Sequence, residues 1–311
     1  MNNLISLNEY PVQPVLKLLL ADKTTKQNIV FATDSYSSLG DAYQANRQID
    51  INLLMQMGDA AIQPRVLKSL QDQADRTKSK AEVMTPAWIV NKMNNYCDED
   101  WFGRPSVFNV ENDEKWTTNT DPIVFPEDKD WQQYVTSMRI EITCGEAPYL
   151  VSRYDTTKGK IIIPVEDRVG VLDRKLRVVK ENTSTKEEWL KWAIKAYEST
   201  YGFEYQGDNL LIGRINLLIT FVDYMQDKWK ENPTDAELRK IANIIVWNLW
   251  QMDGLTGTVP FAYQEVSHKQ LSFFDFIEGG ENETVKESLP ALIYDWKKKC
   301  SVTYNSLKEN K

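Results

Sequence analysis

Arg139-Ile140-Glu141-Ile142-Thr143-Cys144-Gly145-Glu146-Ala147-Pro148-Tyr149-Leu150 is the segment to which every other part of the chain can be related. Ile140 and Ile142 flank a carboxylate and give way to the small step Thr143-Cys144-Gly145, the pattern of a buried strand that stops at a tight turn. In an open α/β sheet, small molecules bind outside the carboxyl ends of the strands, and a turn of small residues lets backbone approach them closely. The segment therefore reads as the rim of a ligand site. A purely structural reading stands beside it, because strands ending in Cys-Gly occur in many cores.

The 311 residues, 42% of them hydrophobic and with ten Trp, suffice for one large domain or two ordinary ones around a substantial core. No uncharged apolar run reaches the roughly 18 residues of a membrane span, since Leu210 to Val222 is interrupted by Arg214 and Asn216. Met1 to Glu9 lacks a basic start and a long apolar core, so no secretory signal is read and a cytoplasmic location is expected. Cys97, Cys144 and Cys300 form no Cys-x-x-Cys pair and His268 is the single histidine, so neither a disulfide framework nor a metal site is expected. A net charge of −8 argues against a nucleic-acid clamp, whose affinity comes mainly from neutralising phosphates.

Residues 1–80 read as a mainly helical N-terminal region, with Asn28–Thr33 extended and Pro64 breaking the helical spacing of Asp50–Ala74. That region is either a helical layer on the main domain, 81–311, or an element that contacts DNA or a partner. Thr85 reads as an N-cap with Pro86 in the first turn of a helix whose apolar face is Trp88, Ile89, Val90 and Met93. Asp98–Asp130, rich in Asp, Asn, Pro and Trp, reads as a long surface excursion, and Gly159–Pro164 as a strand or hairpin. Asp167–Lys180 and Lys186–Thr200 read as helices, with Arg168, Asp173 and Arg174 forming a solvated ion-pair face. Tyr201–Glu204 is a short strand, followed by a turn and a helix to about Trp229. A carboxylate at a strand end suits a ribose, whose two hydroxyls it can accept together. A helix over Asp235–Ala242 precedes an apolar run into the turn Asp253-Gly254, and Lys286–Trp296 reads as a further helix.

Four of these segments together resemble the cofactor motifs of amino-type DNA methyltransferases, which bind S-adenosylmethionine. Glu141–Leu150 resembles motif I, Asp-Pro-x-Cys-Gly-x-Gly-x-Phe/Tyr-Leu, with Glu141-Ile142 in place of Asp-Pro and Ala147 where the second glycine needs a positive φ. Thr85-Pro86 before an apolar helix resembles motif X. Tyr201-Gly202-Phe203-Glu204 followed by Gly213-Arg214-Ile215-Asn216-Leu217-Leu218 resembles motif II, and Asn243-Ile244 through Asp253 resembles motif III. The chain as a whole looks like the proteins labelled restriction endonuclease subunit M.

The resemblance implies an α/β fold, a Rossmann-like class I methyltransferase sheet with an N-terminal helical region. It implies cofactor-binding roles for Thr85, Pro86, Glu141, Thr143, Cys144, Gly145, Tyr149, Glu204, Tyr205 and Asp253. Glu204 would take the ribose, Asp253 the adenine, and Thr85, Glu141 and Gly145 the methionine part. The Asn/Asp-Pro-Pro-Tyr/Phe element that holds a flipped base in this family is absent, so no catalytic residue is expected on this chain. A partner subunit would carry that element and most of the contact with double-stranded DNA. The resulting heterodimer would methylate adenine N6, with Phe261, Phe273, Phe274, Phe276 and Trp296 as apolar anchors for the partner. A non-catalytic cofactor-binding or structural subunit of a restriction or phage-defence complex is the alternative.

Overall fold

The computed structural model describes residues 4–58, 62–80, 82–267 and 284–307. The first half of the chain carries α1 (Leu16–Leu19), α2 (Ile51–Gln56), α3 (Leu70–Lys80), α4 (Ala87–Phe102), the strands β1 (Asn109–Asn112) and β2 (Lys115–Thr118), and α5 (Trp131–Thr136). Then come β3 (Arg139–Glu141), α6 (Val171–Asn182), α7 (Lys186–Glu198), β4 (Thr200–Glu204), α8 (Gly207–Trp229), α9 (Asp235–Asn248) and β5 (Leu249–Gln251). The C-terminal part carries the strands β6 (Thr258–Ser267), β7 (Thr284–Pro290), β8 (Leu292–Asp295) and β9 (Cys300–Thr303).

The fold is mixed α/β, and among the described residues its one parallel sheet has the order β3-β4-β5, with Ile140 beside Tyr201 and Phe203 beside Trp250. Parallel neighbours need long crossovers, here the helix pairs α6–α7 and α8–α9. The second helix of each pair has its start fixed by a side chain: the Thr185 hydroxyl accepts from Glu188 N at the head of α7, and Thr234 and Glu237 form a capping box on α9. Leu210, Leu211, Ile215, Leu218 and Phe221 of α8 are fully buried, and α8 runs through the main core with its polar Arg214 and Asn216 buried too. Burial on all sides is what an apolar helix without a wet stripe requires. The opposite face of β4 and β5 carries a second cluster, in which Phe203, Trp250 and Met252 meet Val259, Ala291 and Ile293 from the C-terminal strands. No helix among the described residues is long and apolar enough to cross a membrane.

Several sequence expectations are corrected. Residues 1–80 are not mainly helical: α1 and α2 are short, and only α3 is long. Leu16, Leu19, Leu20, Ile29 and Phe31 are nonetheless buried in the same core as α8 and α9. Leu16 and Leu19 face the core from the short α1, whereas Leu20, Ile29 and Phe31 are buried from irregular chain. Asn28–Thr33 is a strand only in fragments: Asn28 and Val30 make isolated bridges to Ala21 and Gln48, and Ala32 turns the chain with a φ of 49°. The helix after Pro86 starts one residue later than expected, with Pro86 itself at the N-cap; its first N–H, on Ala87, donates to Asp155 Oδ2 at 3.0 Å, so the cap comes from a distant loop.

Asp98–Asp130 is no simple surface excursion, because α4 continues to Phe102, β1 and β2 form a hairpin, and Trp101, Phe102, Phe108, Phe125 and Tyr134 meet in edge-to-face and tilted pairs. Arg168, Asp173 and Arg174 are buried rather than solvated. α9 runs on to Asn248, leaving only Leu249–Gln251 as strand before Asp253. Lys286–Trp296 is not a helix; β7 pairs with β6 and β8 with β9, so cross-strand partners override the local spacing. Phe273, Phe274, Phe276 and His268 lie outside the described residues.

Candidate functional site

β3 ends at Glu141 and the chain turns through a segment in which Thr143, Gly145 and Ala147 all have positive φ, 50°, 52° and 63°. Only glycine adopts that region freely, so the Thr and Ala here are held in place by their surroundings. The holding bonds are clear. Cys144 N donates to Phe203 O at 2.8 Å, and Gly145 N donates to Glu204 Oε2 at 2.8 Å, which ties the turn to the end of β4. From below, the Asn216 amide of α8 donates to Glu146 O at 3.0 Å, and the Tyr154 hydroxyl donates to Glu146 Oε2 at 2.6 Å. Small residues make the close approach possible: a Cβ on Gly202 would meet Cys144 Sγ at 3.3 Å, and one on Gly213 would meet Gly145 O at 3.2 Å.

Above the turn lies a cavity of about 580 Å³, within the range of roughly 300–1,000 Å³ that small-molecule sites occupy. Of the ten residues singled out from sequence, Thr85, Glu141, Thr143, Cys144, Gly145, Tyr149, Glu204 and Tyr205 all line it. Pro86 and Asp253 do not. Pro86 serves as the N-cap of α4, and Asp253 Oδ1 accepts from Leu255 N at 2.8 Å and Thr256 N at 3.3 Å, closing a turn just beyond Tyr205. Asp253 stays near enough that its charge, after burial, helps raise the Tyr205 hydroxyl above its ordinary pKa. The sequence reading missed Glu82, Met84, Gln206 and Asn209 as wall residues. Their signal was proximity in sequence, since Glu82 and Met84 shortly precede Thr85 and Gln206 and Asn209 shortly follow Tyr205.

Two buried carboxylates set the electrostatics. Glu141 Oε2 accepts from Leu150 N at 3.1 Å, and Glu204 Oε1 accepts from Gln206 N at 3.0 Å. Burial pushes the pKa of both above the ordinary carboxylate range, and the nearby Glu204 charge raises Glu141 further. Among the described residues neither makes an ion pair. Burial likewise pushes up the Cys144 thiol, which lies beside both acids, so it is a neutral wall residue rather than a nucleophile.

The third acid of the cavity, Glu82, is compensated, with Arg76 at 2.6 Å and Arg65 at 3.6 Å. Arg76 also holds Asp208 at 2.8 Å and Lys68 holds it at 3.2 Å. Burial opposes the Asp208 charge, yet Lys68 and Arg76 outweigh it and keep that carboxyl well below its usual range. The network fastens residues 65–82 to the first turn of α8 and so lays Glu82–Thr85 along the cavity. At the same turn Gly207 N donates to Phe31 O at 2.9 Å, and a Cβ on Gly207 would stand 2.0 Å from Val30 O. That contact admits only glycine. The arrangement as a whole can hold a small molecule that is cationic near Glu141 and rich in hydroxyls near Glu204. Compared with family models, with curated proteins and with solved structures, the chain finds no match in any of the three.

Proposed function

We propose that this cavity binds S-adenosylmethionine and that the chain is the cofactor-binding subunit of a DNA adenine-N6 methyltransferase. The observation that carries the reading is the pair Glu141 and Glu204, two buried acids without ion-pair partners among the described residues, at the ends of adjacent parallel strands. A ligand with a sulfonium and an ammonium group would offset that uncompensated charge, and each carboxylate keeps lone pairs beyond those its backbone donors occupy. The strand order fits half of a Rossmann-like sheet, whose ligands sit at the carboxyl ends of the strands. Glu204 is proposed for the ribose hydroxyls, Glu141 and the Gly145 turn for the methionine part, and Asp253, past Tyr205, for the adenine. When bound, the cofactor supplies the methyl group. The chain's own residues position it, and the target base and the Asn/Asp-Pro-Pro-Tyr/Phe element come with the partner subunit, together with most of the DNA contact. A cytoplasmic location goes with this reading.

Titration calorimetry on the folded chain is the direct test, and heat on adding S-adenosylmethionine is the expected result. Silence from protein with a native circular dichroism spectrum would remove the proposal. Glu204→Gln should weaken binding by about 1.5–3 kcal/mol, the usual worth of a hydrogen bond to a charged group, or about ten- to 150-fold.

The pH dependence has a definite sign. Because Glu141 and Glu204 have folded-state pKa values above their unfolded ones, their contribution to stability is present at low pH and is lost as pH rises through the raised values. A cation favours the ionised carboxylates, so affinity should increase as pH rises above the ordinary carboxylate range and through the raised values, with protons released on binding. Calorimetry in buffers of different ionisation enthalpy reads that release directly, and affinity that falls with pH would remove both acids from the site.

A further inference from the structure

α3 is attached to the rest of the molecule almost without apolar contact. Of its described side chains Arg76 alone is buried, at 3% exposure, whereas Leu70 is 84% exposed. A helix of eleven residues is marginal in water by itself, and most helices in proteins are stabilised by burying an apolar face. α3 buries none, so polar contacts hold it. The Arg76 guanidinium donates to Asp208 Oδ2 and Oδ1 at 2.8 and 3.2 Å, to Ser35 Oγ at 3.0 Å and to Gln206 Oε1 at 3.1 Å, and its Nε donates to Glu82 Oε2 at 2.8 Å. Lys68 reaches the same Asp208 at 3.2 Å, and the Tyr36 hydroxyl donates to it at 2.9 Å.

The piece held in this way is also closed on itself. Arg65 Nη1 donates to Glu82 O at 2.5 Å and Nη2 donates to Gln73 O at 3.0 Å, while Arg65 N donates to Glu146 Oε1 at 2.6 Å. Residues 65–80 thus form a strap whose two ends meet, anchored at Glu146 on the site turn and latched on the first turn of α8. From the latch the chain runs on through Val83, Met84 and Thr85, which with Glu82 make one wall of the cavity. Glu82 Oε2 accepts from the Asn209 amide at 2.9 Å, so the strap wall and the α8 wall meet there. Taking an ion cluster out of water costs nearly what its mutual attraction returns, and the closed latch leaves bonds unmade. Glu82 Oε1 and Arg65 Nε are buried 3.6 Å apart, neither with a hydrogen bond. Closed and open strap therefore lie close in free energy, which lets a ligand that touches only the closed wall bias the pair.

We propose that the strap is a lid. It comes off α8 as one unit when Arg76 and Lys68 release Asp208, admits a small molecule to the cavity, and is drawn shut by that molecule's contacts with Glu82–Thr85. That the molecule is S-adenosylmethionine rests on the proposed function; the latch does not.

Hydrogen exchange of the full chain, read by mass spectrometry, is the test. Without ligand the α3 amides should exchange together and at least about tenfold faster than those of α8, and saturating S-adenosylmethionine should slow them about tenfold or more. Asp208→Asn removes the charge that both cations share, so it should bring α3 close to the rate of an unstructured segment while the α9 amides stay protected. It should also speed S-adenosylmethionine dissociation in stopped flow by about tenfold. Arg76→Lys keeps the charge, loses the forked bonds and should fall between. Wild-type α3 exchanging as slowly as α8, α3 unmoved in Asp208→Asn, or cofactor heat without any slowing of α3 would overturn the lid. If Asp208→Asn does not fold, the wild-type rates decide. If S-adenosylmethionine gives no heat while α3 opens alone and Asp208→Asn frees it, the latch stands and the cofactor reading falls.

Discussion

Arg214→Met is expected to cost about 3–5 kcal/mol of folding stability, as much as a small domain can lose and still fold. The guanidinium is fully buried and makes no ion pair among the described residues; instead it donates to Leu249 O at 2.9 and 2.7 Å, to Leu19 O at 2.5 Å and to Ala21 O at 3.0 Å. Burial without a close acid lowers its pKa to about 10. One side chain of α8 thus joins three separate pieces, β5, the end of α1 and the segment that leads to Asn28. Methionine fills much of the volume but leaves three carbonyl oxygens without their donor, and each such buried acceptor costs about 1–3 kcal/mol. Urea unfolding measures the total. Hydrogen exchange should show the amides of Ile29 and Phe31 opening well before those of α8, and a loss under about 1 kcal/mol would show that the carbonyls find water instead.

Arg174→Met is expected to be comparably severe, by a different route. Arg174 is buried in α6, 2.5 Å from Asp98 Oδ2, and donates to Asn91 and Asn95 at 2.9 and 2.7 Å, with its guanidinium stacked over Phe108. Its removal leaves Asp98, only 5% exposed, with the Tyr134 hydroxyl at 2.9 Å and Arg139 at 3.9 Å. Breaking a buried pair from one side costs about 3–5 kcal/mol, because the remaining charge stays buried. The double variant Asp98→Asn with Arg174→Met should therefore be more stable than Arg174→Met alone. If the two single losses simply add, the pair is not coupled and the explanation is wrong.

These two arginines also mark where sequence reading stopped. The turn at Thr143-Cys144-Gly145, the strand ending at Glu204 and the helix after it were legible because their signals are local: alternation, small residues, then an acid at a boundary. Eight of ten singled-out residues meet at one cavity for the same reason. Arg214 and Asn216 were read as breaks in an apolar run and as part of a motif, yet their work is to brace β5 and the Glu146 carbonyl. The cluster around Arg174 looked like a wet face because its partner Asp98 lies on α4, far away in sequence. The β7 strand was read as a helix since nothing within 286–296 reveals that β6 is its neighbour. Long-range partners, more than local propensity, separate the legible elements from the others.

The pairing of Arg139 with Thr200 and of Gly202 with Leu249 has a kinetic meaning as well. Each parallel contact spans an entire helix pair, so the loop-closure cost comes early in folding and the stabilising contacts come late. The hairpins α6–α7 and α8–α9 have short connectors and can assemble within their own segments. The bond from Gly145 N to Glu204, which shapes the floor of the cavity, exists only once β3 and β4 have met. Helical content should therefore return before ligand competence does, and during refolding a chain that already looks native by circular dichroism will for a time have no site to fill.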